Sequence, residues 1–289
     1  MDSSLAGSTK HLYLKIWTDF NTFCVDHLSA TDAVLPILIN ILSLYLASLF
    51  NRGYAPSTIC TYNSALSYWH KLNNVQDPTS SFFILKLLQG AKRRRIRFDS
   101  RLLITGSILN RLVTALNQIC SNPFDQRLYK AMYLLAFYGF LRLGEITERS
   151  QGSLDSHCLT YSDVVVQQNH MLISFQSYKH SISGKVCTIL INRQLNSSFC
   201  PVRHLLLFFE VRGTRPGKLF CHLNGSPILR SQFIDMLNHS LTFIGLSPAQ
   251  YKGHSFRIGA AIWALQNGKS DSQIRSMGRW HSNAVFKVP

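Results

Sequence analysis

Over roughly the first 90 residues, apolar positions recur at three- and four-residue spacing between tight connections, which predicts short amphipathic helices. Residues 33–50, AVLPILINILSLYLASLF, carry no charge at all. Their length would allow a membrane span. However, Pro36, Asn40, Ser43 and Ser48 interrupt the run, and Asn40, Ser43, Ala47 and Asn51 share one narrow helical stripe. That pattern predicts an amphipathic helix buried over most of its surface, and no membrane partner. Gly53 is placed to stop it; Pro56 and Ser57 open the next helix, with Leu66 and Trp69 among its apolar positions. Lys92, Arg93, Arg94, Arg95 and Arg97 then stand between two periodic regions. The run reads as a linker suited to a phosphate backbone or to nuclear import, or equally as a solvated helix end.

From Leu109 to Phe140 the helical period returns, in LNRLVTALNQIC and LYKAMYLLAFYGF. The period then shortens to two. LTYSDVVVQ, HMLISFQSY and KVCTILIN are rich in β-branched and aromatic residues, with HSISG as a turn between the last two. CPVRHLLLFFEVRG resumes helix, and Asn224-Gly225 marks a turn in the stretch after it. Near the end, Asn267 and Gly268 close a helix that begins around His254. Ser270 caps DSQIRSM, Gly278 stops it, and RWHSNAVFKV opens another helix with Ser282 as N-cap. The expected fold is mainly α (α+β): a helical N-terminal domain over 1–92, a basic linker over 93–103, and a helical domain with a small antiparallel sheet over 104–289.

Charge narrows the partners. The chain has 289 residues, 46% of them hydrophobic and 15% charged, so it has enough apolar sequence for real cores. Its 30 Lys and Arg against 14 Asp and Glu give a net +16, which implies a polyanionic partner, nucleic acid first. Seven cysteines form no CxxC pair and no metal-ligand spacing, which predicts reduced thiols and no metal.

Two short stretches carry candidate chemistry. In YKGHSFRIGAAIW, His254 and Arg257 stand three apart at the head of an apolar helix. That spacing puts them on one face, toward something anionic that accepts hydrogen bonds. In YGFLRLGEI, Arg142 leaves a very apolar helix three residues before Glu145. The pair is either a local salt bridge or a guanidinium fork aimed into a cleft.

FLRLGE, HSFR and GRW, in this order, resemble the motifs of the tyrosine recombinase (phage integrase) family. The wording HSFRIGAA…MGRWHSNA is most similar to recombinases of eukaryotic mobile elements of the DIRS-like group. GYAPSTICTYNSALSYW resembles the family's core-binding domain, and residues from about 104 its catalytic domain. The resemblance implies that Arg142 and Arg257 clamp the scissile DNA phosphate, His254 bonds the same group and assists proton transfer, and Trp280 donates its indole N–H or packs beside the nucleophile's helix. Glu145 would orient an arginine or histidine. Lys179, or its competitor Lys185, would protonate the leaving oxygen. It implies no cofactor, double-stranded DNA as partner, and self-association on DNA as a synaptic tetramer in an active protein; the DNA substrate together with the Arg93–Arg95 run suggests a nuclear location. One departure stands out. The family attacks DNA with a tyrosine eight or nine residues after the Trp280 position, where this sequence has Val288 and Pro289, and no tyrosine follows Tyr251. The expectation is therefore a C-terminally truncated catalytic domain that binds DNA without cleaving it alone. The alternative is an inactive DNA-binding protein derived from a transposon, so enzymatic activity stays open.

Overall fold

A computed structural model of the chain describes residue 5 and residues 7–28, 34–95, 101–150, 152, 157–176 and 186–280. Two units separate along the chain, Met1–Asp99 and Ser100–Pro289.

The first unit is helical: α1 (Gly7–Leu28), α2 (Ile39–Asn51), α3 (Pro56–Leu72) and α4 (Phe82–Arg94). Its core joins Ile59, Leu66 and Ile84 to a ring-rich cluster at Phe20, Phe23 and Tyr45. The uncharged stretch forms helix only from Ile39, and Ile39 and Leu44 are exposed, so it is shorter and less buried than its composition predicts. No helix among the described residues is long and apolar enough to cross a membrane. Gly53 takes φ +89° just past α2, and Pro56 occupies the first turn of α3, as the spacing predicts. Ser81 caps α4 by accepting from the Ile84 N–H.

The basic run divides, its first part forming the helix end that is one of its two readings. α4 continues through Arg94, so Lys92, Arg93 and Arg94 sit exposed on its last turn rather than in a connection, where cations suit the helix dipole. Arg95 turns back into its own unit, 4.1 Å from the Phe50 ring centroid and donating to the Tyr54 carbonyl. Arg97 lies outside the described residues.

The second unit is built around α6 (Pro123–Tyr138), whose residues from Ala131 to Phe137 are all buried. Asn122 caps it through the Asp125 N–H at 2.8 Å, and Pro123 needs no hydrogen-bond partner in the first turn. Around it lie α5 (Gly106–Ile119), α8 (Pro201–Arg212), α9 (Arg230–Phe243) and α10 (Gly253–Gln266). The short α7 (Leu143–Ile146) follows α6, and α11 (Asp271–Gly278) follows α10. Gly259 of α10 passes so close to Ile104 that a Cβ would strike its backbone carbonyl; only glycine permits that approach.

A three-stranded antiparallel sheet, β1 (Val164–Val166), β2 (His170–Phe175) and β3 (Cys187–Asn192), lies in that order. Met171, Ile173 and Phe175 alternate into the core, and Phe175 pairs with Cys187 at the open end. The first predicted strand is shorter than expected: Tyr161–Asp163 form a 3-10 turn held by Asp163, which accepts from the Thr160 N–H and hydroxyl. The HSISG turn and the helix expected after Trp280 lie outside the described residues. The helix α9 has no counterpart among the predicted elements.

Candidate functional site

Four chain segments meet below the C-terminal end of α6: the Phe140–Glu145 turn, the start of α10, the end of α11 and the open end of the sheet. Arg142 stands at the start of α7, and Glu145 one turn on. The buried Glu145 carboxylate accepts from the Arg142 backbone N–H at 2.8 Å and from Arg142 Nη1 at 3.1 Å. The local salt bridge is formed, and it leaves Arg142 with 18% of its side chain exposed.

Arg257 lies one turn inside α10 and is 2% exposed. Its Nη1 donates to the Phe140 carbonyl at 2.9 Å and its Nη2 to the Gly278 carbonyl. Trp280 covers it, the ring centroid 4.5 Å from the guanidinium carbon, and packs edge-on against Phe140. His254, in the first turn of α10, is exposed. The shared face predicted for His254 and Arg257 therefore splits into a solvent-facing residue and a sealed one, because Trp280 and the Phe140 turn close over the second.

Sequence reasoning missed a third guanidinium. Arg279, between Gly278 and Trp280, is 5% exposed and donates Nη2 to Glu145 Oε2 at 2.7 Å. Its guanidinium carbon lies 4.0 Å from the Phe175 ring centroid, and its Nε and Nη1 are buried without a hydrogen-bond partner. The signal available in the sequence was slight: a cation placed directly after a helix-stopping glycine. Its burial follows from a left-handed backbone, φ +53°, that turns the chain inward. Phe140, whose carbonyl receives Arg257, takes φ +51° as well. Such conformations cost bulky residues about 1–3 kcal/mol and cluster where surroundings enforce them.

The electrostatics are lopsided. Burial, then the Arg142 charge, pushes the Arg257 guanidinium down to about 9; Arg279 adds to the effect and Glu145 opposes it. Arg279 is lowered too, by burial first, with Glu145 opposing and Arg142 adding. Two guanidiniums thus share the Glu145 carboxylate and a third lies close by on backbone carbonyls, in a poorly solvated place, an arrangement that favours an added anion. On the rim, Arg230 is lowered by burial and by Arg149, and its buried Nε has no partner.

The remaining candidates fall elsewhere. Lys179 and Lys185 lie outside the described residues, in the connection from Phe175 to Cys187. Lys92, Arg93, Arg94 and Arg95 belong to the first unit. Among the described residues, no group of three His, Cys, Asp or Glu side chains is placed to hold a metal.

No protein-family model and no curated protein matches the sequence. Solved structures do. The XerH site-specific recombinase bound to a palindromic difH substrate aligns with TM-score 0.62 at 15% identity, over 96% of this chain and 74% of that one. A lambda integrase dimer bound to a COC' core site aligns with TM-score 0.60 at 13% identity, over 98% and 88%. The Tn1549 transposon integrase in complex with transposon right end DNA aligns with TM-score 0.61 at 13% identity, over 97% and 88%. The fold is that of the tyrosine recombinases. At these identities the likeness concerns backbone architecture. On this tyrosine-recombinase fold, the expected mainly helical plan with a small antiparallel sheet is present, and the arginine cluster sits where α6, α10, α11 and the sheet converge.

Proposed function

We propose that the protein binds double-stranded DNA by its phosphate backbone and acts in DNA recombination or integration, as a tyrosine-recombinase-like protein of mobile-element origin akin to the DIRS-like group. One observation carries the reading: Arg142, Arg257 and Arg279 gather around the single carboxylate of Glu145, leaving a partly buried site short of negative charge. A phosphodiester supplies that charge, and a guanidinium meets two of its oxygens at once. The fold and the net +16 support the same partner.

In this reading Arg142, the most exposed of the three, contacts the non-bridging oxygens. Arg257 stands behind it and acts through its field until Trp280 yields. His254 reaches the same phosphate from the first turn of α10, and Lys179, or Lys185, protonates the leaving oxygen. The attacking hydroxyl is assigned to no residue of this sequence, since no tyrosine follows Tyr251; a partner subunit or residues outside 1–289 would bring it. Self-association on DNA and a nuclear location belong to the proposal. The same arginine cluster also suits a second reading, a transposon-derived DNA binder without catalysis.

Duplex binding followed by fluorescence anisotropy across salt concentrations tests the first step. Arg142→Gln should weaken binding and reduce the slope of log K against log salt by about one. Equal slopes in the two proteins would remove the phosphate clamp from the proposal. Val288→Tyr separates the two readings: a covalent protein–DNA adduct supports the recombinase, and tight binding with no adduct supports the binder.

A further inference from the structure

Away from the arginine cluster, the second unit holds a cavity of about 490 Å³ between α5, α6, α8 and the 3-10 turn Ser197–Phe199. Lys130, Arg203 and His204 line it together with Thr114, Asn117 and Ser198. No carboxylate is among its lining residues. The acids on the surrounding elements are engaged elsewhere: α5 has none, Asp125 of α6 accepts from the Asn122 amide at 2.7 Å, and Glu210 of α8 pairs with Arg127 at 3.0 Å. Asn117 accepts from Lys130 Nζ and from Gln126, and this holds the ammonium at the cavity wall. His204 is 8% exposed, with Nε2 donating to the Ser198 carbonyl at 2.8 Å. Arg203 donates Nη1 to Ser197 and remains exposed.

We propose that this cavity is a second oxyanion site that takes a phosphate group, held by Lys130 and Arg203 beside the His204 imidazole. Three nitrogen bases converge on a concave, acid-free surface, and such a surface accumulates anions. Burial lowers Lys130, with Cys120 opposing. Burial likewise lowers His204, with the charges of Lys130 and Arg203 adding to the effect against the Ser198 bond. A phosphate would relieve both penalties at once. The N-terminal end of α8 contributes partial positive charge beside Arg203 and His204. The phosphate would come either from a small free phosphate compound or from the DNA backbone. The inference does not rest on the role proposed for the arginine cluster.

Side-chain NMR of the His204 imidazole, assigned through a His204→Gln variant, reads this cavity and not the arginine cluster. Inorganic phosphate and a short DNA duplex form the two arms. A saturable shift with phosphate alone identifies a small-phosphate site, and a shift with duplex alone identifies a backbone contact; both support the proposal. In Lys130→Gln/Arg203→Gln the response should fall at least tenfold in apparent affinity. Arg203→Glu, on an exposed residue, repeats the test should the pair fold poorly. A His204 signal that neither probe moves, or one that moves equally in the variants, overturns it.

Discussion

At the scale of single residues, the arginine cluster is defined by what Glu145 holds. Its carboxylate is shared between Arg142 and Arg279, while Arg257 relies on backbone carbonyls. Removing that carboxylate leaves three cations facing one another with little water, and breaking a buried pair from one side costs about 3–5 kcal/mol. Glu145→Gln should destabilise the second unit by that amount in urea unfolding. Arg279→Met should cost less by about 2 kcal/mol or more, because deleting one of three cations also removes repulsion. The reverse order would show that Arg279 is held by shape rather than by charge. Cys158 provides a separate pH test. Burial pushes its thiol up to about 12, with Glu148 and Asp163 adding and Lys218 opposing. A raised value means that the folded state keeps its proton longer than the unfolded one. The contribution is therefore complete below about 9 and is lost as pH climbs toward about 12, at about 1.4 kcal/mol per pH unit at most. Cys158→Ala should flatten the alkaline loss of stability over that window in denaturant titrations.

At the scale of elements, α10 is set by two contacts that side chains alone would not suggest. Ile104 donates its N–H to the Ser255 carbonyl at 3.0 Å, and Gly259 lies against the Ile104 carbonyl. A methyl group there must push backbone from backbone, so Gly259→Ala should cost about 3 kcal/mol, at the upper end of overpacking effects. The shift in urea midpoint at constant slope measures it. These elements also show where the sequence was readable. Caps and breakers at Gly53, Pro56, Gly268 and Ser270 mark helix ends because their physics is local. The helix α9 escaped notice because it begins after Leu229 with no Ser, Thr, Asp or Asn cap, directly behind the Asn224-Gly225 turn. For the site, FLRLGE, HSFR and GRW were legible as motifs, yet the inward role of Arg279 was not. Its burial depends on a left-handed turn and on Phe175, contributed by a strand about a hundred residues away in the chain. The same holds for Arg257, which the i, i+3 spacing placed beside His254 and which tertiary packing then enclosed.

At the scale of the whole molecule, charge is divided between the units. The first unit carries 10 basic and 6 acidic residues and the second 20 and 8, so the second holds most of the excess. The first unit nonetheless exposes Lys92, Arg93 and Arg94 together on one helix turn, while Arg95 is spent on Phe50 and Tyr54. This distinction predicts different outcomes for neighbouring residues in one basic run. Replacing Lys92, Arg93 and Arg94 with Gln removes three solvated charges and costs the fold little, a few tenths of a kcal/mol to about 1 kcal/mol for each dipole contact. If all three lie on phosphates, the slope of log K against log salt for duplex binding should flatten by about 2.7. Affinity at low salt should fall with it, and the melting temperature should stay close to that of the parent. Arg95→Gln should do the opposite, lowering stability through the lost ring contact and carbonyl bond while changing the salt slope by less than about one. Were the triple variant to keep the parent slope, the exposed end of α4 would be a solvated helix terminus with no part in DNA binding. The polyanion would then be held by the second unit alone.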